Sequence, residues 1–221
     1  MAPHAGLNVL RDPPSPSAGL TATEFVCDAV REEGRPTLTV WYPTPVVSFG
    51  PRDCRDDGYE QAARAAKAHG YAIRDRPMGG RPVALNPTTL TFVWALPIDE
   101  TDIESRYRDA RTTVQDALHR VGVEAKAGAP NHAFCPGNYG LQASGKLAGF
   151  AQRVHGEVAA VGGLLLVSNH QESASVLAAV YAALGLEFNP EAVGSIERAG
   201  GEANREDVAD AVVQAFADRT I

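Results

Sequence analysis

The chain has 221 residues, 44% hydrophobic and 21% charged, a composition that excludes an unfolded chain and suits one large domain or two small ones. With 20 Lys and Arg against 27 Asp and Glu, the formal net charge of −7 excludes a uniformly attractive field for phosphate backbones, so no nucleic-acid partner is expected. Cys27, Cys54 and Cys135 are odd in number and form no C-x-x-C pair, so neither a disulfide framework nor a zinc site is expected, and a reduced cytoplasmic setting is.

The N-terminal segment has no apolar core of a signal peptide, and the most apolar run, 158–167, is about half a membrane span and contains Gly162 and Gly163, so no membrane partner is expected. In chain order, residues 5–11 read as a first strand and the proline-rich 13–17 as a loop. Phe25, Val26, Ala29 and Val30 predict a helix over 21–33 that stops at Gly34. Strands are predicted over 36–41 and 46–49, an alanine-rich helix over 59–69, and strands over 71–74 and 89–96 around a Gly/Pro-rich loop, 77–87. Thr101 and Glu104 form a capping box for the third helix, with Ile103, Tyr107, Ala110, Val114, Ala117, Leu118 and Val121 as its apolar stripe and Gly122 as its stop. Residues 124–167 read as a loop and two or three strands. Helices return over 172–184 and 204–216, the latter with Asn204 as N-cap. No repeat or linker divides the chain, and the expectation is one mixed α+β domain over residues 1–221 without an accessory C-terminal domain.

Three local features can carry chemistry. Between two predicted strands, Arg74, Arg76 and Arg81 surround Gly79 and Gly80; the plain reading is a tight turn with a solvated rim, the functional one an anion cradle of backbone N–H groups beside an arginine. Cys135 precedes Pro136 and Gly137, which place it in a turn where a thiol is either idle or, beside a positive group, reactive. Lys146 opens a strand-like run in which Ala148, Gly149 and Ala151 leave room for a substrate chain; a lone lysine is otherwise a solvated charge. His132 and His155 lie nearest these features, and no Ser/His/Asp or H-x-x-x-H spacing singles out either.

The order of these features resembles the biotin/lipoate protein ligase family, in particular the catalytic domain of lipoate–protein ligases and lipoate-type octanoyltransferases, over nearly the whole chain. Residues 37–43 and 45–50 are similar to the family's paired strands, Arg74 to Gly80 to its R-R-x-x-G-G loop, and 89–92 to the strand that follows. Gly145-Lys146-Leu147-Ala148-Gly149-Phe150-Ala151-Gln152-Arg153 is similar to the G-x-K-hydrophobic-x-G-x-A-Q motif, the most specific element, and 180–190 to the C-terminal helix and turn. The biotin-ligase G-R-G-R-x-x-R-x-W type of loop is not found. Where the family reads G-G-G-x-V-Y-H, this chain reads Gly79-Gly80-Arg81-Pro82-Val83-Ala84-Leu85, so the histidine is missing and Asn86 is the only polar substitute beside it.

The resemblance implies a central mixed β-sheet flanked by helices, as in class II aminoacyl-tRNA synthetases and biotin–lipoate ligases, with an acyl tunnel beside the sheet. It implies attachment of an octanoyl or lipoyl group to a lysine of a lipoyl-carrier domain, on a 2-oxoacid dehydrogenase subunit or a glycine-cleavage H-type protein. Carried over, Lys146 is the catalytic residue, with Arg76, Gly79, Gly80, Arg81, Gly149 and Ala151 binding substrate. As an octanoyltransferase the chain needs no cofactor: Cys135, in the stretch where one group of these enzymes keeps its nucleophile, takes the acyl group from octanoyl-acyl carrier protein, although its separation from Lys146 is shorter than in those enzymes. As a ligase it needs ATP and Mg, uses free lipoate, and leaves room for a separate accessory subunit. A non-catalytic acyl- or lipoyl-domain-binding protein is the third alternative.

Overall fold

The computed structural model describes residues 6–11, 19–76, 78–98 and 102–219. Within them the chain runs β1 (Asn8–Arg11), α1 (Gly19–Glu33), β2 (Thr37–Trp41), β3 (Val46–Phe49), α2 (Tyr59–Ala68), β4 (Ala72–Asp75), β5 (Val83–Leu85), β6 (Thr89–Pro97) and α3 (Ile103–Arg120). It continues with β7 (Lys126–Ala127), β8 (Leu141–Gln142), β9 (Lys146–His155), β10 (Val158–Leu166), α4 (His170–Ala183) and α5 (Arg205–Arg219). A seven-stranded mixed sheet has the order β1-β2-β6-β10-β9-β8-β7, with β1 parallel to β2 and the other pairs antiparallel. A smaller sheet, β4-β3-β5, pairs β3 parallel with β4 and antiparallel with β5.

β6 lies at the centre because β-branched and aromatic residues suit both of its faces: Thr89 to Ala95 are all buried. On one face Leu38, Phe92, Trp94, Val161 and Leu165 pack under α3 and α5. On the other, Trp41, Val93, Ala95, Val158 and Ala160 pack against Ala22, Val26, Cys27 and Val30 of α1. Farther along that face, Leu164 and Leu166 join the core of the small sheet, α2 and α4, built from Phe49, Ala66, Leu177 and Tyr181. The small sheet therefore stands off the large one beside α1, and the site forms in the gap.

The central mixed sheet with flanking helices agrees with the expected fold class, and several local details differ from the sequence reading. The expected loop 77–87 contains β5, whose three residues are too short to show a period between Pro82 and Asn86. The N-cap of α3 is Asp102, whose carboxylate accepts from the Ser105 amide at 2.7 Å. Thr101, the proline-rich 13–17 and residue 5 of the expected first strand lie outside the described residues. Ile103 and Phe25, placed on apolar helix faces, are 57% and 38% exposed, Ile103 being the first residue of α3. Asn204 does cap α5, accepting from the Glu206 and Asp207 amides.

Candidate active site

β9 sets the geometry. Gly149 pairs with Leu164 and Ala151 with Gly162, so these small residues share the face toward the small sheet. The absence of bulk there opens an apolar cavity of about 120 Å³ between the sheets, walled by Trp41, Val46, Val83 and Leu85 at one end and by Arg76, Phe134 and Cys135 at the other. Met78 leans over it: a β-carbon on Gly162 would lie 3.5 Å from the Met78 methyl. Thr91 and Arg74 also line it.

A second chamber of about 280 Å³ lies on the far side of Cys135, lined by Lys146, Gly80, Asn138, Tyr107 and Tyr139 among others. The two tyrosine rings stack at 4.6 Å with planes 8° apart. Gly79, Cys135, Phe150 and Ala151 border both spaces, so the thiol stands at their junction.

Lys146 is buried at the start of β9, and its ammonium donates to the Phe134 carbonyl at 3.1 Å and to the Cys135 carbonyl. Two of its three protons are thus engaged and one remains for an oxygen in the chamber. Burial pushes its pKa down, opposed by the negative charge that Cys135 carries as a thiolate. Gly149 and Gly140 give the chain of this lysine its room: β-carbons there would lie 3.6 and 3.2 Å from Lys146 Cε.

The glycine loop packs directly on the thiol. Gly80 has φ +99°, and a β-carbon on it would lie 2.7 Å from Cys135 Sγ and 3.1 Å from Arg76 Nη2. Arg76 donates to the Ser48, Gly79 and Arg81 carbonyls and so holds the loop closed. Burial lowers its pKa, with Cys135 the leading opposing charge. Cys135 itself has φ +40°, in the left-handed region, with its amide donating to the Tyr181 hydroxyl at 2.6 Å.

The structure thus brings Lys146, Cys135, Arg76, Gly79, Gly80, Gly149 and Ala151 together. Arg81 departs from the expected binding role: it lines neither space, and its guanidinium is drawn to fully buried Asp53, paired at 2.6 Å. Asn86 does not stand in for the missing histidine either. Its side chain is buried against the Tyr71 hydroxyl and the Thr88 turn, while Leu85, at the histidine's position, adds to the apolar wall. His132 pairs with Glu187 and lines neither space. Sequence reasoning gave no site role to Tyr107, Tyr139, Tyr181 or Met78: the tyrosines reach the site from α3, a loop and α4, and Met78 carries no signal of its own inside the glycine loop.

Residues 15–217 match the model of the lipoyl protein ligase A/B catalytic domain. The chain belongs to that family. It is accordingly the catalytic domain of an enzyme, of the lipoate–protein ligase type. Solved structures show the same fold: a lipoate–protein ligase A bound with ATP is 20% identical with a TM-score of 0.75, covering 96% of this chain and 83% of that one. A putative lipoate protein ligase from T. acidophilum with bound lipoic acid is 20% identical with a TM-score of 0.72, covering 96% and 84%. Biotin protein ligase from Aquifex aeolicus is 13% identical with a TM-score of 0.52, covering 96% and 70%. A direct comparison with curated proteins finds no match. Among the described residues of this lipoyl-ligase-family domain, no helix is long and apolar enough to cross a membrane, and no cluster of His, Cys, Asp and Glu is placed to hold a metal ion.

Proposed function

We propose that this domain transfers an octanoyl or closely related acyl group to a lysine of a lipoyl-carrier domain through a thioester on Cys135. The observation that carries this reading is the position of the thiol at the junction of the apolar cavity and the lysine chamber. The cavity has room for roughly ten water-sized groups, the scale of a medium acyl chain. With the chain threaded there, the acyl carbonyl lies at the junction, beside the free proton of Lys146.

In the first half-reaction Cys135 Sγ attacks the carbonyl carbon of an octanoyl-carrier thioester, the carrier's thiol leaves with the proton, and the ammonium of Lys146 stabilises the oxyanion. In the second, the amine of the carrier-domain lysine enters through the lysine chamber, the amide forms, and the thiol of Cys135 is regenerated with the amine's proton. One thioester replaces another and then an amide replaces a thioester, so no nucleotide is consumed.

A second reading, ATP-dependent ligation of free lipoate, is favoured by the ATP bound to the similar lipoate–protein ligase A. Lys146 would then stabilise the acyl-adenylate, and Cys135 would be a turn residue. Against it, Lys146 is the only cation lining the chamber, and no carboxylate lines it to hold Mg, among the described residues. The test is intact-mass spectrometry after incubation with octanoyl-carrier thioester and no ATP. A thiol-labile octanoyl adduct on Cys135, absent from Cys135→Ser, is expected; modification of a lipoyl domain only when ATP and free lipoate are supplied, undiminished in Cys135→Ser, would establish the ligase instead.

A further inference from the structure

The wall of the apolar cavity contains a cation that the transfer of a plain alkyl chain leaves without a partner. Residues of β4 alternate, so Ile73 packs into the core beneath the small sheet and Asp75 receives the Tyr59 hydroxyl at 2.7 Å, while Arg74 and Arg76 face the gap. Arg76 is fully engaged with backbone carbonyls. The Arg74 side chain makes no hydrogen bond or ion pair among the described residues, and its Nε is buried without a partner. Burial lowers its pKa, and no carboxylate offsets that. Across the gap on β6, the buried hydroxyl of Thr91 also has no partner. A desolvated donor left unpaired is unfavourable, and two of them lining one cavity define a place where an acceptor belongs.

Their position fits a ligand entering from the thiol end. Arg74 lies two residues, about 7 Å along the chain, from Arg76, which shares Gly80 with Cys135 at the thiol end. Beyond it the wall is apolar again, with Val46, Leu85 and Trp41.

We propose that this cavity selects an acyl chain with a carboxylate at its far end, the half-thioester of a dicarboxylic acid, held by Arg74 with Thr91 as a second donor. The inference rests on the reading of this cavity as the acyl site, and it changes the preferred substrate class from a simple fatty acyl group to an ω-carboxyacyl group. Arg74 acts here as a specificity residue that touches the tail and takes no part in bond formation at Cys135.

The test compares octanoate with octanedioate by equilibrium titration of the intact protein, a readout that needs no turnover. Octanedioate is expected to bind at least tenfold more tightly. Arg74→Met should abolish the preference while keeping octanoate binding, Arg74→Lys should retain part of it, and Thr91→Val should reduce it severalfold. Equal or weaker binding of octanedioate by the wild type, or a preference that survives Arg74→Met in a variant with wild-type circular dichroism, overturns the proposal. Thioester incubations separate it from the reading of Cys135. A preference for octanedioate with no adduct from either octanoyl or octanedioyl thioester removes the thiol mechanism and keeps the ω-carboxyl site; adduct formation from both at equal rates, with equal binding of the two acids, does the reverse.

Discussion

The Tyr181 hydroxyl receives the Cys135 amide at 2.6 Å and donates to the Pro82 carbonyl at 3.1 Å, so one buried side chain of α4 ties the thiol turn to the entry of β5. The positive φ of Cys135 is costly for a residue with a β-carbon, and this tie is one of the contacts that hold it. Tyr181→Phe leaves a partly buried N–H unpaired. It is expected to cost about 1–2 kcal/mol in urea denaturation. Adduct formation at Cys135 should slow roughly tenfold, about the same energy expressed in the rate. An unchanged rate in a destabilised variant would show that the tie supports only the fold.

Gly80→Ala makes a sharper test of the junction. The new methyl would sit 2.7 Å from Cys135 Sγ, so the thiol must swing away from the glycine loop, and alanine is strained at φ +99°. Loss of acylation is expected together with roughly 1–3 kcal/mol of stability. Gly79→Ala is the control: no atom lies within 4 Å of a β-carbon at Gly79, so near-wild-type stability is expected by the same denaturation measurement.

Asp53 and Arg81 yield a prediction about stability rather than turnover. Asp53 is fully buried, and its carboxylate is held by Arg81 and by the Gly50 amide at 3.3 Å. Arg81→Leu strands that charge and is expected to destabilise the protein by about 3 kcal/mol. The double variant Arg81→Leu, Asp53→Asn should recover much of the loss, and a double-mutant cycle in urea measures it.

The contrast between Arg81 and Lys146 shows where sequence reasoning reaches the site. Lys146, Gly149 and Ala151 lie on one strand, so their spacing and small size were visible in a single run of residues. Arg81 looked equivalent to Arg76, and only their contacts separate them: Arg81 pairs with buried Asp53, while Arg76 donates to the Ser48, Gly79 and Arg81 carbonyls. The helices were legible for the same local reason, from apolar spacing and from Asn204 ahead of α5. β5 was not, being three residues between turn formers. Tyr181 stands 46 positions from Cys135 and 99 from Pro82, and the Tyr107–Tyr139 stack joins α3 to a loop; no periodicity encodes contacts of that range.

Burial holds two of the three thiols protonated. Burial pushes Cys27 up to about 11; burial, reinforced by Asp75, does the same to Cys54. At pH 8 only about a thousandth of each is thiolate, and that fraction rises tenfold per pH unit until it levels off near pH 11. Iodoacetamide labelling of the folded protein at pH 8 is therefore expected to be slow at both, and to accelerate at both as pH rises. Cys135, which borders two open spaces, is expected to be the first site labelled, as peptide mass mapping would show. Labelling of Cys54 ahead of Cys135 would mean that the junction is closed to small reagents.

If the acyl chain lies between the two sheets as proposed, the floor of the cavity limits its length. Gly162 faces the gap opposite Ala151, and a β-carbon there meets only the Met78 methyl at 3.5 Å and backbone oxygens at 3.8 Å or more. Gly162→Ala is consequently tolerated, whereas Gly162→Val adds an isopropyl group, three carbons, to a cavity of about 120 Å³ and crowds Met78. The fill removes space for roughly two or three chain atoms. Gly162→Val should accept butanoyl and hexanoyl thioesters with rates near those of the wild type and lose most of its activity with octanoyl, read as adduct yield on Cys135 across the chain-length series. A uniform loss over all lengths would place the acyl chain elsewhere than between the two sheets.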